Sequence, residues 1–217
     1  MTVKRKRRPY RSDLRAAAAD ETRARIVAAA RALLGEGKGK DKPAFSFDAV
    51  AREAGVTRLT VYNQFGSKQG LLEAVFDDMA REGGLFELPS VFAEPDVGKA
   101  LHRFVSVFCR FYASRRKVMP RFSAMVALDD DIAASLKGRT ERRRHGLTAF
   151  VDRLRAGPDA ATLVDLLFAA TSFEMFDALS VRNRSAQEVE TLIRQLADDL
   201  VARYGGRQRG SKMRKPR

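Results

Sequence analysis

The residues best suited to binding chemistry lie between Ser46 and Phe65, where two short helical patterns flank a tight turn. Ser46 and Thr57 are residue types that cap helix N-termini, and Gly55 can adopt the left-handed conformation that ends a helix. The turn at 54–57 therefore joins two short helices, which is the sequence form of a helix-turn-helix. In that motif the second helix enters the major groove of DNA.

The second helix of this pair divides into apolar residues that can pack inward and polar residues that stay outside. Val61 and Phe65 are four residues apart, so both can pack inward. The polar side chains left outside are those of Arg58, Thr60, Asn63 and Gln64. Guanidinium, hydroxyl and amide groups are the donors and acceptors that recognise base edges and phosphates. The predicted chemistry is therefore hydrogen bonding to nucleic acid.

Catalytic and metal-binding chemistry have weaker candidates. His102, His145 and the single Cys109 are too few for a closed zinc site. The run Ser114–Lys117 matches S-x-x-K, but the companion motifs of that chemistry are missing. Asp129–Asp131 are placed to cap a helix, whereas a cation site needs ligands gathered from several places. We predict no catalytic residue, no metal and no cofactor.

The formal net charge of +14 is concentrated at the two ends of the chain. Seven of residues 1–15 and seven of residues 203–217 are Lys or Arg, whereas the sequence between them is nearly neutral. Two basic arms favour a polyanionic partner, because each contact with a phosphate releases counterions. Tails that serve only solubility are the alternative. Neither arm repeats apolar residues at helical spacing, so nucleic acid is favoured over a membrane surface, and we expect Arg5 to Arg8 to reach the minor groove or its phosphates.

The composition predicts an all-α protein. The chain has 217 residues, 45% of them hydrophobic, which is enough to build one or two compact domains. Ala and Leu far outnumber the β-branched residues, so helix is favoured over sheet. The single cysteine and the lack of an apolar run of about eighteen residues predict a soluble, cytoplasmic protein with no membrane span.

Apolar residues at helical spacing divide the chain into about nine helices. Their predicted starts are near Asp20, Ser46, Thr57, Ser67, Asp96, Val118, Asp129, Ala160 and Ser185. The helix from about Ala160 to Leu179 is apolar around much of its circumference and needs burial on two sides. The expected architecture is an N-terminal three-helix domain containing the helix-turn-helix, followed by a C-terminal helical bundle.

Over residues 45–72, and more loosely over 21–79, the sequence resembles the TetR family of transcriptional repressors. The matching runs are VAREAGVT at 50–57, TVYNQFGSK at 60–68 and the leucine pair at 71–72. The element Tyr-x-x-Phe-x-x-Lys follows a correctly spaced turn inside four consecutive predicted helices. The loop at 35–43 departs from the family pattern, since it is longer and more basic.

The resemblance implies roles for residues on both sides of the turn. Thr57 would cap the recognition helix, and the next three residues would approach base edges. Tyr62 and Lys68 would hold phosphates, Lys68 from the N-terminal turn of the following helix, where the helix dipole helps. The full set of predicted DNA-binding residues is Ser46, Thr57, Arg58, Leu59, Thr60, Tyr62, Asn63, Gln64 and Lys68.

For the C-terminal part, the resemblance implies an effector pocket and a dimer interface. The candidate pocket residues are Phe104, Phe108, Phe111, Phe122, Met125, Phe173 and Phe176. The candidate interface residues are Leu163, Leu167, Phe168, Leu192, Leu196 and Leu200. Walls of this kind suit a largely apolar, aromatic or lipophilic effector.

The predicted organisation is a basic arm at 1–19, a DNA-binding domain at 20–80, an effector-binding and dimerisation domain at 81–204 and a basic tail at 205–217. The predicted function is a homodimeric repressor that binds a palindromic operator on double-stranded DNA and is released by a small molecule. Two alternatives remain open. One is an effector-free architectural DNA-binding protein, and the other is an all-α enzyme or carrier that uses an apolar cavity.

Overall fold

Helices make up most of the described chain. The computed structural model describes residues 10–35 and 45–205, and within these ranges it contains eleven α-helices and no β-strand. They are α1 (Tyr10–Gly35), α2 (Phe47–Ala54), α3 (Arg58–Phe65), α4 (Lys68–Glu82), α5 (Leu88–Phe92), α6 (Val97–Arg115), α7 (Met119–Ala127), α8 (Asp130–Leu154), α9 (Ala160–Ala170), α10 (Phe173–Leu179) and α11 (Ala186–Tyr204). The predicted all-α class is confirmed, and the predicted count of about nine is too low.

Two differences explain the count. The short helix α5 follows a single 3-10 turn at 85–87, and it has too few residues to show a helical period. The single helix predicted from Ala160 to Leu179 is instead the pair α9 and α10. Ser172 ends the continuous pattern, because its hydroxyl accepts the Met175 N–H at 3.1 Å and so caps a new helix.

The first helix also begins earlier than its predicted start near Asp20. Residues 10–19 contain four consecutive alanines and no Gly or Pro, so their intrinsic propensity favours helix. The side chains from Arg15 to Asp20 are exposed, which is why this part of α1 shows no apolar stripe. The predicted arm residues Arg5 to Arg8, the loop at 36–44 and the tail from 206 lie outside the described residues.

The chain forms two compact units, and the first combines the described residues up to Met79 with 117–135. It holds α1 to α4 and α7. Its fully buried side chains are Ile26, Ala30, Leu34, Val50, Val61, Leu71, Leu72, Val75 and Met79. An ion pair between Arg31 and Asp78, 2.8 Å long, adds a link from α1 to α4.

Helix α7 completes the first unit from a distant part of the sequence. The Phe122 ring lies 5.9 Å from the Phe76 ring of α4, measured between centres. The Arg121 guanidinium donates to the carbonyl of Leu33 at 2.6 Å, close to the C-terminal end of α1, where carbonyl groups lack helical partners. The core of this unit therefore combines α1 to α4 with a helix that follows them by more than thirty residues in the sequence.

The second unit comprises 80–116 and 136–205. Here α11 packs against α6 and α9. Phe104, Phe111, Phe150 and Phe176 are all at most 2% exposed. The Phe104 ring lies 4.7 Å from the Phe108 ring and meets the Phe150 ring edge-on at 5.5 Å, which is a favoured aromatic geometry. Aromatic packing therefore dominates this core.

Candidate nucleic-acid interface

Local hydrogen bonds set the turn between α2 and α3. The Ser46 hydroxyl accepts the Ala49 N–H at 3.2 Å, and the Thr57 hydroxyl accepts the Thr60 N–H at 3.1 Å, so Ser46 and Thr57 cap the two helices. Gly55 has a φ of 64°, a left-handed conformation that glycine adopts without strain. These interactions lie within a few residues of one another, and they fix the direction in which α3 leaves the turn.

Helix α3 has one buried and one exposed side. Val61 is fully buried and Phe65 is 9% exposed, so both belong to the core of the first unit. Leu59 and Tyr62 are 65% and 56% exposed despite their apolar surface. A leucine in a major groove can contact thymine methyl groups, and a tyrosine hydroxyl can donate to a phosphate. Asn63 is exposed beside them.

Arg58 lies at the start of α3 and is held by one neighbour. Its guanidinium donates to a carboxylate oxygen of Asp48 in α2 at 3.3 Å. Both side chains are more than half exposed, so the pair contributes little to stability and can be exchanged for another partner. A guanine base offers the two acceptors that a guanidinium binds best. Asp48 can therefore orient Arg58 without preventing base contact.

The side chains of Thr60 and Gln64 are less accessible to a partner than the sequence predicts. The Thr60 hydroxyl lies 2.8 Å from the Thr57 hydroxyl, so it shares a hydrogen bond with the helix cap. Both Thr60 and Gln64 are half-buried. The structure places these two beside the exposed residues of α3, but with a smaller part of each side chain available to a partner.

Arg23 of α1 is a positioning residue that the sequence analysis missed. Its guanidinium donates to the Gln64 carbonyl at 2.9 Å and lies 4.4 Å from the centre of the Phe65 ring. Both contacts hold the C-terminal end of α3 against α1. Arg23 lies three residues before Ile26, which begins the buried stripe of α1, and this spacing is the signal that could have identified it.

Lys68 begins α4 immediately after a sharp turn. Gly66 has a φ of 70°, and the Ser67 hydroxyl accepts the Gly70 N–H at 3.0 Å. The Lys68 side chain is exposed. A helix N-terminus carries unpaired N–H groups and a partial positive charge, so an ammonium group beside it makes a site suited to phosphate.

The junction of α3 and α4 leads to a stability prediction. A β-carbon on Gly70 would lie 2.3 Å from the carbonyl oxygen of Phe65, the last residue of α3. Because that oxygen belongs to the backbone, the two helices must separate to admit a methyl group. We expect Gly70→Ala to lower the free energy of unfolding by about 1–3 kcal/mol in urea titrations.

The matched control for this substitution is Gly138→Ala. Gly138 lies inside α8, and the atom nearest to its added β-carbon is the flexible end of Arg142 at 3.9 Å. Alanine should therefore leave stability unchanged or raise it by up to about 1 kcal/mol, as expected in a helix interior. If the two substitutions changed stability in the same direction, the close approach at Gly70 would have no energetic weight.

The residues predicted to line an effector pocket divide between the two units. Phe122 and Met125 belong to α7 of the first unit. The others are buried in the second unit and are Phe104, Phe108, Phe111, Phe173 and Phe176. The Tyr112 ring contacts those of Phe173 and Phe176 at 5.7 and 5.9 Å. The crevice beside Tyr112 is too narrow, as it stands, to admit a ligand.

The residues predicted for a dimer interface differ in exposure. Leu163 and Leu167 of α9 are fully buried within the protomer, so they offer no surface to a second copy. The half-buried members of the set are Phe168, Leu192, Leu196 and Leu200. Phe168 contacts Arg143 and Arg144, whose guanidinium carbons are 3.9 and 4.2 Å from its ring centre. The uncovered apolar surface of this set is therefore mainly that of α11.

The residues considered as metal ligands have other contacts. His102 Nε2 lies 2.7 Å from a carboxylate oxygen of Asp198, and Cys109 is buried in the core of the second unit. Within the described ranges, no group of three or more His, Cys, Asp or Glu side chains is arranged to hold a metal ion. None of the helices that the structure describes is long and apolar enough to span a bilayer.

Comparison with known proteins identifies one matching family and one curated relative. Residues 26–75 match the model of the family described as bacterial regulatory proteins, tetR family. The HTH-type transcriptional regulator AlkX of Mycobacterium tuberculosis (strain ATCC 25618 / H37Rv) is 33% identical over 108 residues, which cover 50% of this chain and 47% of AlkX. The chain thus spans about half the length of this curated relative.

Two solved structures are similar over most of the chain. A transcriptional regulator from Rhodococcus sp. Rha1 has a TM-score of 0.65 at 22% identity, covering 83% of this chain and 96% of the other. A protein from Mesorhizobium loti MAFF303099, assigned to the TetR family of transcriptional regulators, has a TM-score of 0.57 at 18% identity, covering 87% and 98%. At these identities the likeness concerns the fold.

Proposed function

We propose that this chain, whose residues 26–75 match the tetR family model, is a homodimeric DNA-binding transcriptional regulator that represses its genes until a small molecule releases it. In this proposal α3 reads the operator and the second unit joins two copies. A two-fold dimer presents two recognition helices to one duplex, so the operator should be palindromic. Release requires a ligand that binds the DNA-incompetent state more tightly.

The exposed side of α3 is the observation that carries the proposal. Arg58, Leu59 and Tyr62 are all exposed, whereas Val61 and Phe65 are buried in the core of the first unit. Lys68 extends the same region with a cation at the start of α4. A guanidinium for base edges next to groups suited to phosphates is the combination that sequence-specific DNA binding needs.

Selection of bound DNA from a random pool tests the proposal. The full chain should enrich a palindrome whose half-sites are separated by about one helical turn, roughly 10 base pairs, or a multiple of it. An enriched motif with a single half-site would contradict the dimer. If the selected DNA bound no more tightly than the starting random pool, specific DNA binding would be contradicted.

Two substitutions in this region should have different signatures. Arg58→Ala should cost about 1–3 kcal/mol at one base position and relax the preference there, because a base contact is lost. Lys68→Ala should weaken all sequences alike and reduce the slope of log affinity against log salt by about one unit, because one phosphate contact is lost. Binding titrations at several salt concentrations separate the two effects.

The control for both is Lys99→Ala, which removes an exposed cation from α6 of the second unit. It should leave sequence preference and salt slope unchanged. The assignment of Lys68 to phosphate would be wrong if Lys68→Ala altered the preferred sequence and left the slope as it was.

The closed packing of the second unit favours one alternative, a DNA-binding protein that needs no effector. Its aromatic rings fill the core, and the crevice beside Tyr112 holds no ligand-sized space. Such a protein would bind the operator with an affinity that no small molecule changes. Titration of candidate ligands against free and operator-bound protein distinguishes the two, because a releasing ligand must bind the free protein more tightly.

A further inference from the structure

Arg143 of α8 is a half-buried cation without a carboxylate partner among the described residues. Its guanidinium carbon lies 3.9 Å from the centre of the Phe168 ring and 5.9 Å from that of Phe108. Its described hydrogen-bond acceptors are both neutral, the backbone carbonyl of Thr171 and the hydroxyl oxygen of Tyr112. A guanidinium held against aromatic rings has lost part of its hydration, and a neutral carbonyl replaces that hydration less well than an anion does.

The Thr171 carbonyl can accept a hydrogen bond from Arg143 because the helical segment is interrupted between α9 and α10. Helix α9 ends at Ala170 and α10 begins at Phe173, so the Thr171 carbonyl lies in the break between them. The Tyr112 hydroxyl donates to the same carbonyl at 3.2 Å. A guanidinium and a phenol hydroxyl therefore converge on one buried oxygen atom. Two such donors are also the groups that bind a carboxylate.

The crevice beside this carbonyl has apolar walls. Its lining includes Val105, Phe108 and Ile193, together with Tyr112 and Thr171. Few polar groups converge on it, which is the usual composition of a small-molecule site. The crevice is closed in this structure, and it lies beside the α9–α10 break, so its opening need not unwind a continuous helix.

We propose that this crevice is the effector site and that it takes an aromatic or lipophilic molecule bearing a carboxylate or a similar acidic group. The anion replaces the Thr171 carbonyl as the acceptor for Arg143 and Tyr112. The apolar part of the molecule lies against Phe108 and Ile193. This inference rests on the proposed function, because it names the chemical class of the molecule that acts on the regulator.

The test compares two probes of the same shape, 2-naphthoate and 2-naphthamide, by calorimetric titration of the full chain. The carboxylate should bind at least about tenfold more tightly than the amide, because only the carboxylate supplies an anion to the guanidinium. Arg143→Gln should weaken the binding of the carboxylate more than that of the amide and so remove this preference. The matched control is Arg142→Gln, which neutralises the exposed neighbour on α8 and should keep the preference.

Cys109 provides a second measurement, because it lies in the lining of the same crevice. Bound naphthoate should slow the reaction of Cys109 with a thiol reagent in the wild-type chain and not in Arg143→Gln. Equal affinity for the two probes, no binding of either at millimolar concentration, or equal losses in the Arg142 and Arg143 variants would each overturn the inference. Unchanged labelling of Cys109 would overturn the location.

The outcomes also separate this inference from the function on which it rests. A palindromic motif from the DNA selection without any anion preference would keep the regulator and overturn the effector class. An anion preference without an enriched DNA motif would overturn the regulator and leave a binding protein for acidic ligands.

Discussion

Replacing both Leu196 and Leu200 with glutamate is expected to give folded monomers that no longer bind an operator with two half-sites. Both side chains lie on α11 and are only half-buried in the protomer. A carboxylate buried at a dimer contact without a cation costs about 3–5 kcal/mol, so the dimer dissociation constant should rise by at least about a thousandfold. Sedimentation velocity at micromolar concentration measures the change, and circular dichroism checks that the variant is folded.

The matched control is Gln187→Glu on the same helix. Gln187 is exposed and lies nine positions before Leu196, which places it on the opposite side of α11. An added carboxylate there also favours the helix N-terminus, so the dimer should be unaffected. Sedimentation of the wild-type chain as a monomer would contradict the dimer and, with it, the palindromic operator.

Raising the pH above 9 is expected to destabilise the second unit, because two buried acidic groups of α6 resist ionisation. Burial raises the pKa of the Cys109 thiol from 9.0 to about 12, and burial also raises the pKa of the Tyr112 hydroxyl from 10.0 to about 12. The folded pKa exceeds the unfolded pKa in both cases, so the unfolded chain loses these protons first. The stabilisation is complete below pH 9 and is lost as the pH rises towards 12.

The Cys109 contribution can be isolated by substitution. At about 1.4 kcal/mol per pKa unit, ionisation of the unfolded thiol should lower the free energy of unfolding by roughly 2–3 kcal/mol between pH 8 and pH 11. Urea titrations of Cys109→Ala should show a correspondingly flatter fall over that interval. Tyr112→Phe should show a smaller difference that begins about one pH unit higher. Parallel pH profiles for the wild type and Cys109→Ala would show that the thiol ionises equally in both states.

The helix-turn-helix was predictable because short-range chemistry determines it. Ser46, Gly55 and Thr57 act on residues at most four positions away, so their types and spacing define both helices and the turn. The same runs carry the resemblance to the TetR family, which the match over 26–75 confirms. The roles of individual side chains at the DNA remain predictions.

Contacts between distant residues were not predictable in the same way. Nothing near Arg23 in the sequence shows that its partner is a carbonyl of α3, 41 positions away. The break after Ala170 is similar, because alanine, threonine and serine are all tolerated in a helix interior. Ser172 caps α10 by accepting the Met175 N–H.

Periodicity identifies an apolar face but not the partner that covers it. Leu163 and Leu167 share one side of α9, and the sequence alone allowed that side to face either a second copy or the same protomer. The structure buries both within the protomer. Phe122 shows the same ambiguity, because it is an aromatic residue of the C-terminal half that packs against Phe76 of the first unit.

The contribution of α7 to the first unit has a consequence for synthesis of the protein on the ribosome. Helices α1 to α4 leave the exit tunnel first, but Phe122 and Arg121, which pack against Phe76 and the end of α1, follow only after α5 and α6 have been made. The nascent helices α1 to α4 therefore have one apolar side uncovered while part of the second unit is translated. The first unit can therefore be completed only after residues 80–116 of the second unit have been synthesised.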